Sequence, residues 1–247
     1  MRKTLLIFMG IAAACAGSVQ AASVSYVGSL AYAGTGGSGD SELFVTGPDW
    51  VGGQTTLSWK VDNTTTAGMW HYEYTLTVPN KAAVRSDIFC MIIEASNGSA
   101  GPIFTMADLV SPASSPSDWL QSLNVGEHLP VDNPNMPKIL YGIEFSTLIV
   151  DPTALTISFD TARQPVWGDI YARSFSVNGD FNALYNKGLD LIGPDKDPSD
   201  AASDGSIDNH VLVPDSVPSP SVPAPGAVLL GAMGASLAGL LRRRRWL

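Results

Sequence analysis

Two stretches decide the fold: Thr56-Leu57-Ser58-Trp59-Lys60-Val61-Asp62 and, a short way on, Trp70-His71-Tyr72-Glu73-Tyr74-Thr75-Leu76-Thr77-Val78. In the first, Leu57, Trp59 and Val61 alternate with polar neighbours; in the second, Trp70, Tyr72, Tyr74, Leu76 and Val78 alternate with His71, Glu73, Thr75 and Thr77. Successive side chains of a strand leave opposite faces, so a period of two means one dry face and one wet face. The polar residues 63–68 between them end in Gly68, and the whole predicts an antiparallel hairpin.

Working outward, similar patterns predict strands over 23–32, 87–94, 139–150, 155–160 and 166–174, and near Val211. Ile88-Phe89-Cys90-Met91-Ile92-Ile93 is apolar on both parities, as expected of a central strand covered on each side. Several short strands, Gly and Pro in the connections and no long amphipathic helix imply an all-β fold, an antiparallel β-sandwich of jelly-roll or immunoglobulin-like kind. Two long connections interrupt it. Residues 95–138 hold six prolines and one helical candidate, 116–123, with Ser115 or Ser117 as its cap. Residues 178–214 hold a second, 182–191. Connections of this length often carry function, so a binding surface is expected there.

Both ends of the chain read as targeting segments. Arg2 and Lys3 precede an apolar run, and Val19-Gln20-Ala21 supplies small residues for signal peptidase, so 1–21 is expected to be removed before Ala22. A rival reading makes Cys15 of Ala13-Ala14-Cys15 a lipidated residue. At the other end, 214–225 is a Pro/Ser-rich linker, 226–241 is an uncharged run, and 242–247 carries Arg242, Arg243, Arg244 and Arg245. As a helix the run rises about 24 Å, a marginal span of a roughly 30 Å hydrocarbon core. The arginines hold its end in the cytoplasm and leave residues 22–213 outside as an ectodomain. Ala227, Gly231, Ala235 and Gly239 form a strip of small residues on which another membrane helix could dock.

Val222-Pro223-Ala224-Pro225, the short Gly/Ala/Leu helix and the terminal arginines together resemble the PEP-CTERM sorting signal, the tag read by bacterial exosortases. Ala224 stands where that pattern usually has Glu. The resemblance implies cleavage near Val222 to Pro225 by a membrane-embedded sorting protease and release of the body to the cell surface or extracellular matrix. The other outcome is a permanent single-pass anchor. The Trp-x-Tyr-x-Tyr-x-Leu strand and the Trp167-Gly168-Asp169 segment are also similar to ectodomains of such tagged surface proteins.

Between the targeting segments lie all 23 acidic residues against eight basic ones, a formal charge of −15 that makes nucleic acid a poor partner. Cys90 is the only cysteine there, so no intramolecular disulfide forms and stability must come from packing. The histidines His71, His128 and His210 are scattered, and no metal, phosphate-loop, dinucleotide or nucleophile-elbow motif occurs. Glu73, Glu94, Glu144, Asp160 and Asp169 fall in or beside strands, and only their separation would reveal a glycosidase pair. Asp195, Asp197, Asp200, Asp204 and Asp208, around Gly205, offer oxygen ligands for calcium but lack the spacing of the twelve-residue calcium loop. No other cofactor is expected. Trp50 and Trp119, in connections, are candidates for stacking on a sugar. These readings imply a non-enzymatic surface or matrix protein in contact with exopolysaccharide, with a carbohydrate-binding adhesin or a secreted polysaccharide hydrolase as alternatives.

Overall fold

A computed structural model describes residues 23–32, 41–47, 50–51, 53–78, 88–99, 101–147, 153–174, 181–190, 198 and 209–214; residues 1–22, which include the expected signal segment, and 215–247, which include most of the expected linker, the apolar run and the arginines, lie outside them. Among the described residues no helix is long and apolar enough to cross a membrane.

The strands are β1 (Ser25–Tyr32), β2 (Leu43–Thr46), β3 (Thr55–Asp62), β4 (Trp70–Thr77), β5 (Ile88–Glu94), β6 (Val110–Ser115) and β7 (Ser122–His128). They continue as β8 (Leu140–Ser146), β9 (Ala154–Thr161), β10 (Val166–Gly168), β11 (Ile170–Ser174), β12 (Ala183–Asn186) and β13 (Val211–Val213). A five-stranded sheet runs β1-β3-β4-β9-β6, a six-stranded sheet runs β2-β12-β11-β5-β8-β7, and β10 pairs with β13. Every pairing is antiparallel.

The hairpin expected from the alternation is β3–β4, in unbroken register from Thr56 opposite Thr77 to Asp62 opposite His71. Its dry face supplies Leu57, Trp59, Val61, Tyr72, Tyr74 and Leu76, which share one core with Met91, Ile93, Ile143 and Phe145 of the second sheet. The two layers touch directly where the rings of Phe145 and Phe159 stack with centroids 5.7 Å apart. Fully burying one such side chain contributes about 1.5–3 kcal/mol, and the core is continuous. Its buried phenols are satisfied: Tyr72 donates to the Arg163 carbonyl at 3.0 Å and Tyr74 to the Leu212 carbonyl at 2.6 Å. Burial pushes both phenol pKa values well up.

Strand β5 is covered on both faces, as its apolar run requires. Met91 and Ile93 face the main core, while Cys90 and Ile92 join a smaller cluster with Met136, Leu140, Tyr171, Ala183, Tyr185 and Leu189. Cys90 is free and buried, and burial raises its thiol pKa far above the ordinary value.

Along one side the layers are tied: the Glu42 amide donates to the Ala31 carbonyl at 3.0 Å, and the Ala31 amide donates to the Glu42 carboxylate at 2.9 Å. The opposite side carries the sheet edges β6 and β7.

Both helical candidates are overturned. Residues 116–123 form a turn leading into β7, because Trp119 plunges between the layers and the following Ser122-Leu123-Asn124-Val125 alternates as a strand. Residues 182–191 contain β12, clamped between β2 and β11, followed by the short 3-10 helix Lys187–Asp190. Ladder pairing on both sides overrides the local helical preference. The other 3-10 helix, Met106–Asp108, also lies in a long connection. The single strand expected over 166–174 breaks at Asp169 into β10 and β11, which join different partners.

Candidate functional site

The break at Asp169 builds the densest polar site of the described body. Glu94, the last residue of β5, lies alongside it: the Glu94 amide donates to the Asp169 carbonyl at 3.0 Å, and the Asp169 amide donates to the Glu94 carboxylate at 2.8 Å. The buried Asp169 side chain then collects three donors. Asn186 Nδ2 reaches Oδ1 at 2.8 Å, His210 Nδ1 reaches Oδ1 at 2.9 Å and Lys138 Nζ reaches Oδ2 at 3.0 Å. Asn186 is the bracket of the site, accepting the Ile170 amide at 2.8 Å and donating again to the Asn209 carbonyl at 2.9 Å.

Burial opposes ionisation of Asp169, but the bonds from His210 and Asn186 and the charge of Lys138 outweigh it and hold the carboxyl below its usual range. Burial likewise opposes a charge on His210, and Asp169 together with the Gly168 carbonyl reverses the balance, raising the imidazole above its ordinary value. The local sequence fits this geometry. A Cβ at Gly188 would enter the His210 ring, and one at Gly168 would strike Val213 and the Glu94 carboxylate.

A second row lies on the outward face of the same sheet. Register places Arg173 opposite Cys90, Cys90 opposite Ser146, and Ser146 opposite Ser122. A slip between Arg173 and Ser174 sets Phe89 beneath the Arg173 guanidinium, 4.7 Å from the ring centroid. His128 Nδ1 meets the Glu144 carboxylate at 3.2 Å, and that bond, with the Arg173 charge, holds Glu144 below the usual range against its burial. At the far edge, Phe44 is 41% exposed and stacks on Tyr185 with centroids 4.7 Å apart.

The five-stranded sheet carries a further polar pair. His71 Nδ1 lies 2.7 Å from Asp160 Oδ1, and the Thr66 hydroxyl donates to Asp160 Oδ2 at 2.9 Å. Asp62 gathers the Thr64 and Thr65 amides and hydroxyls, which outweigh burial and lower its pKa strongly.

Of the strand carboxylates singled out in the sequence, Glu73 and Asp160 therefore share the outer face of one sheet, and Glu94, Glu144 and Asp169 that of the other. Glu94 and Asp169 are joined directly, the Asp169 amide donating to the Glu94 carboxylate. The sugar-stacking candidates Trp50 and Trp119 are corrected: they are 0% and 2% exposed, and both belong to the core. Trp119 donates its indole N–H to the Ile88 carbonyl at 2.8 Å, and a long connection supplied a core anchor rather than a surface ring. The possible calcium ligands Asp195, Asp197, Asp200, Asp204 and Asp208 lie outside the described residues, as do Val222, Pro223, Ala224, Pro225 and the four terminal arginines. Among the described residues no group of three or more His, Cys, Asp or Glu is placed to hold a metal.

Sequence reasoning saw Glu94, Asp169 and His210 as separate residues and missed Asn186 and Lys138 altogether. The pairing of Asp169 with His210 spans 41 positions, and no local pattern announces it.

No family model matches this chain, and no curated protein or solved structure matches it either. The class it belongs to is given by its fold alone, an all-β antiparallel sandwich.

Proposed function

We propose that this chain is an exported surface or extracellular-matrix protein, sorted by its carboxyl-terminal segment, and that its sandwich is a non-enzymatic structural or adhesive module. The observation that carries the molecular role is the commitment of the carboxylates. Asp169 is occupied by three donors and Glu144 by His128, and both are held below the usual carboxylate range. A glycosidase needs one carboxyl that keeps its proton near neutral pH and another free to attack or to activate water. Groups so tied serve as brackets between strands. His210 fits the same role, since its Nδ1 is taken by Asp169 and none of the described hydroxyls or thiols bonds to its other nitrogen.

The export half of the proposal rests on the amino-terminal signal segment and on the likeness of Val222-Pro223-Ala224-Pro225, the apolar run and the arginines to a PEP-CTERM signal. Signal peptidase and an exosortase-type protease are then its processing partners, and the membrane is a transient station before the surface. Mass spectrometry of the protein recovered from its cells should find Ala22 first and no peptide beyond about Pro225. An Arg-terminated chain as the sole species overturns this reading. Among the described residues, eleven strands in two main layers favour a jelly-roll-like sandwich over the seven to nine strands of the immunoglobulin kind.

A second reading, a carbohydrate-binding adhesin, is favoured by one feature: the half-open Phe44 ring stacked on Tyr185 presents an aromatic face of the sort that packs on pyranose rings. A glycan array scored with the wild-type protein and with Phe44→Ala separates adhesin from inert matrix component. Signal lost in the variant supports the adhesin, and no signal from either refutes it.

A further inference from the structure

The two edges on the β6 and β7 side of the sandwich are built differently. Edge strand β6 is blunted: Pro112 interrupts it, Ser111 adopts a φ of 49°, and its register with β9 slips between Val110 and Ala113. Edge strand β7 has none of these. It pairs with β8 over seven consecutive residues without a slip, holds neither proline nor lysine, and carries one acidic residue, Glu127. Nothing among the described residues hydrogen-bonds to its outer side from 123 to 127, so alternate amides and carbonyls there face outward. An unbroken, unguarded edge is a template for another strand.

Exposed apolar side chains lie beside this edge. Ile103, Met106, Leu129, Val131 and Ile139 are 47%, 48%, 39%, 82% and 55% exposed. Leu129 follows β7 directly and Ile139 precedes β8, while the loop bearing Ile103 and Met106 is held to Tyr141, the partner of Glu127, through a 2.8 Å bond to the Phe104 carbonyl. At the other end of β7, Leu120 and Leu123 are half-buried.

We propose that β7 is a self-association edge, at which a second copy of this chain adds its own β7 in antiparallel register and extends the six-stranded sheet across the interface. A two-fold axis at Val125 sets Ser122 against His128, Leu123 against Glu127 and Asn124 against Gly126, so no like charges meet. The same axis brings the apolar rim of each copy over Leu120 and Leu123 of the other. An isologous contact of this kind closes as a dimer. The −15 charge of each body opposes the approach, so the association strengthens as salt screens it.

The test uses the full chain in mild detergent and the variant Gly126→Lys. No atom lies within 4 Å of where a Gly126 Cβ would sit, so the lysine is accommodated without repacking, and circular dichroism verifies that the variant is folded. Light scattering should show the wild-type mass doubling with concentration and with salt, and Gly126→Lys remaining at the monomer mass. Hydrogen exchange should show β7 amide protection that rises with concentration in the wild type alone. A wild type that stays monomeric at all concentrations, a dimer that persists in Gly126→Lys, as contact through the apolar tail would, or β7 amides indifferent to concentration overturns the proposal.

Discussion

Asn186→Ala probes the polar bracket most directly. The substitution strips three hydrogen bonds: one accepted from the buried Ile170 amide, one donated to the Asp169 carboxylate and one donated to the Asn209 carbonyl. The orphaned amide alone costs about 1–3 kcal/mol, and losing one donor to a buried carboxylate costs about 1.5–3 kcal/mol. Lys138 and His210 remain on Asp169, and the three losses share one neighbourhood, so they do not add; a net loss of about 3 kcal/mol is expected. For a body of this size that lowers the melting temperature by roughly 6–12 °C. Urea unfolding followed by tryptophan fluorescence measures it as a lower midpoint at an unchanged slope. Combined with His210→Ala in a double-mutant cycle, the two changes should couple, because both act on Asp169 Oδ1. A loss below about 0.5 kcal/mol, or strict additivity with His210→Ala, refutes the view that this network holds β10, β11 and β13 together.

The same network makes stability depend on pH from both sides. His210 has a raised folded pKa, so its contribution is full below its unfolded value of about 6.5 and fades as pH rises through the folded one; Asp169 has a lowered folded pKa, so its contribution is full above about 3.9 and fades on acidification. Urea midpoints in the wild type should decline as pH rises from about 6.5 toward about 8, below the range where the buried Cys90 thiol and the phenols contribute, and His210→Ala should remove that part of the decline. Gly142→Ala should destabilise by about 1–3 kcal/mol in thermal melts, because its Cβ would run into the backbone carbonyl of Ile93, while Gly126→Ala should change little. Trp119→Ala should cost about 3–5 kcal/mol by urea unfolding, and a near-neutral result would return this indole to the surface.

The hairpin was legible because one of its faces meets solvent and the other the core, which forces a clean alternation onto Leu57 to Val61 and Trp70 to Val78. The central strand was legible for the opposite reason, apolar side chains on both parities of β5. Strands β2, β6, β7 and β12 were not. β2 and β12 are four residues each, too short for a period to emerge, and all of β12 is buried, so its parities do not differ. Pro112 and the slip in β6 break its pattern. In β7 the alternation was present from Ser122 to Val125, but the nearby Trp119 and Ser117 suggested a capped helix. The polar site was harder still. Asp169, Asn186, Lys138 and His210 come from four separate segments, and nothing in the neighbourhood of any one encodes the others.

Among the described residues Val213 is the last in a strand, and the sequence then runs on into a proline-rich stretch. Any pull exerted on the body from that direction therefore arrives at a rung of only three paired residues, β13 against β10. Behind it stand two fastenings to different layers, the Tyr74 hydroxyl gripping the Leu212 carbonyl and the His210 ring gripping Asp169. Tension is thus shared between both layers instead of peeling one of them. This latch is small, and its grip on the Asp169 side is strongest where the imidazole holds its proton and the carboxyl has lost its own.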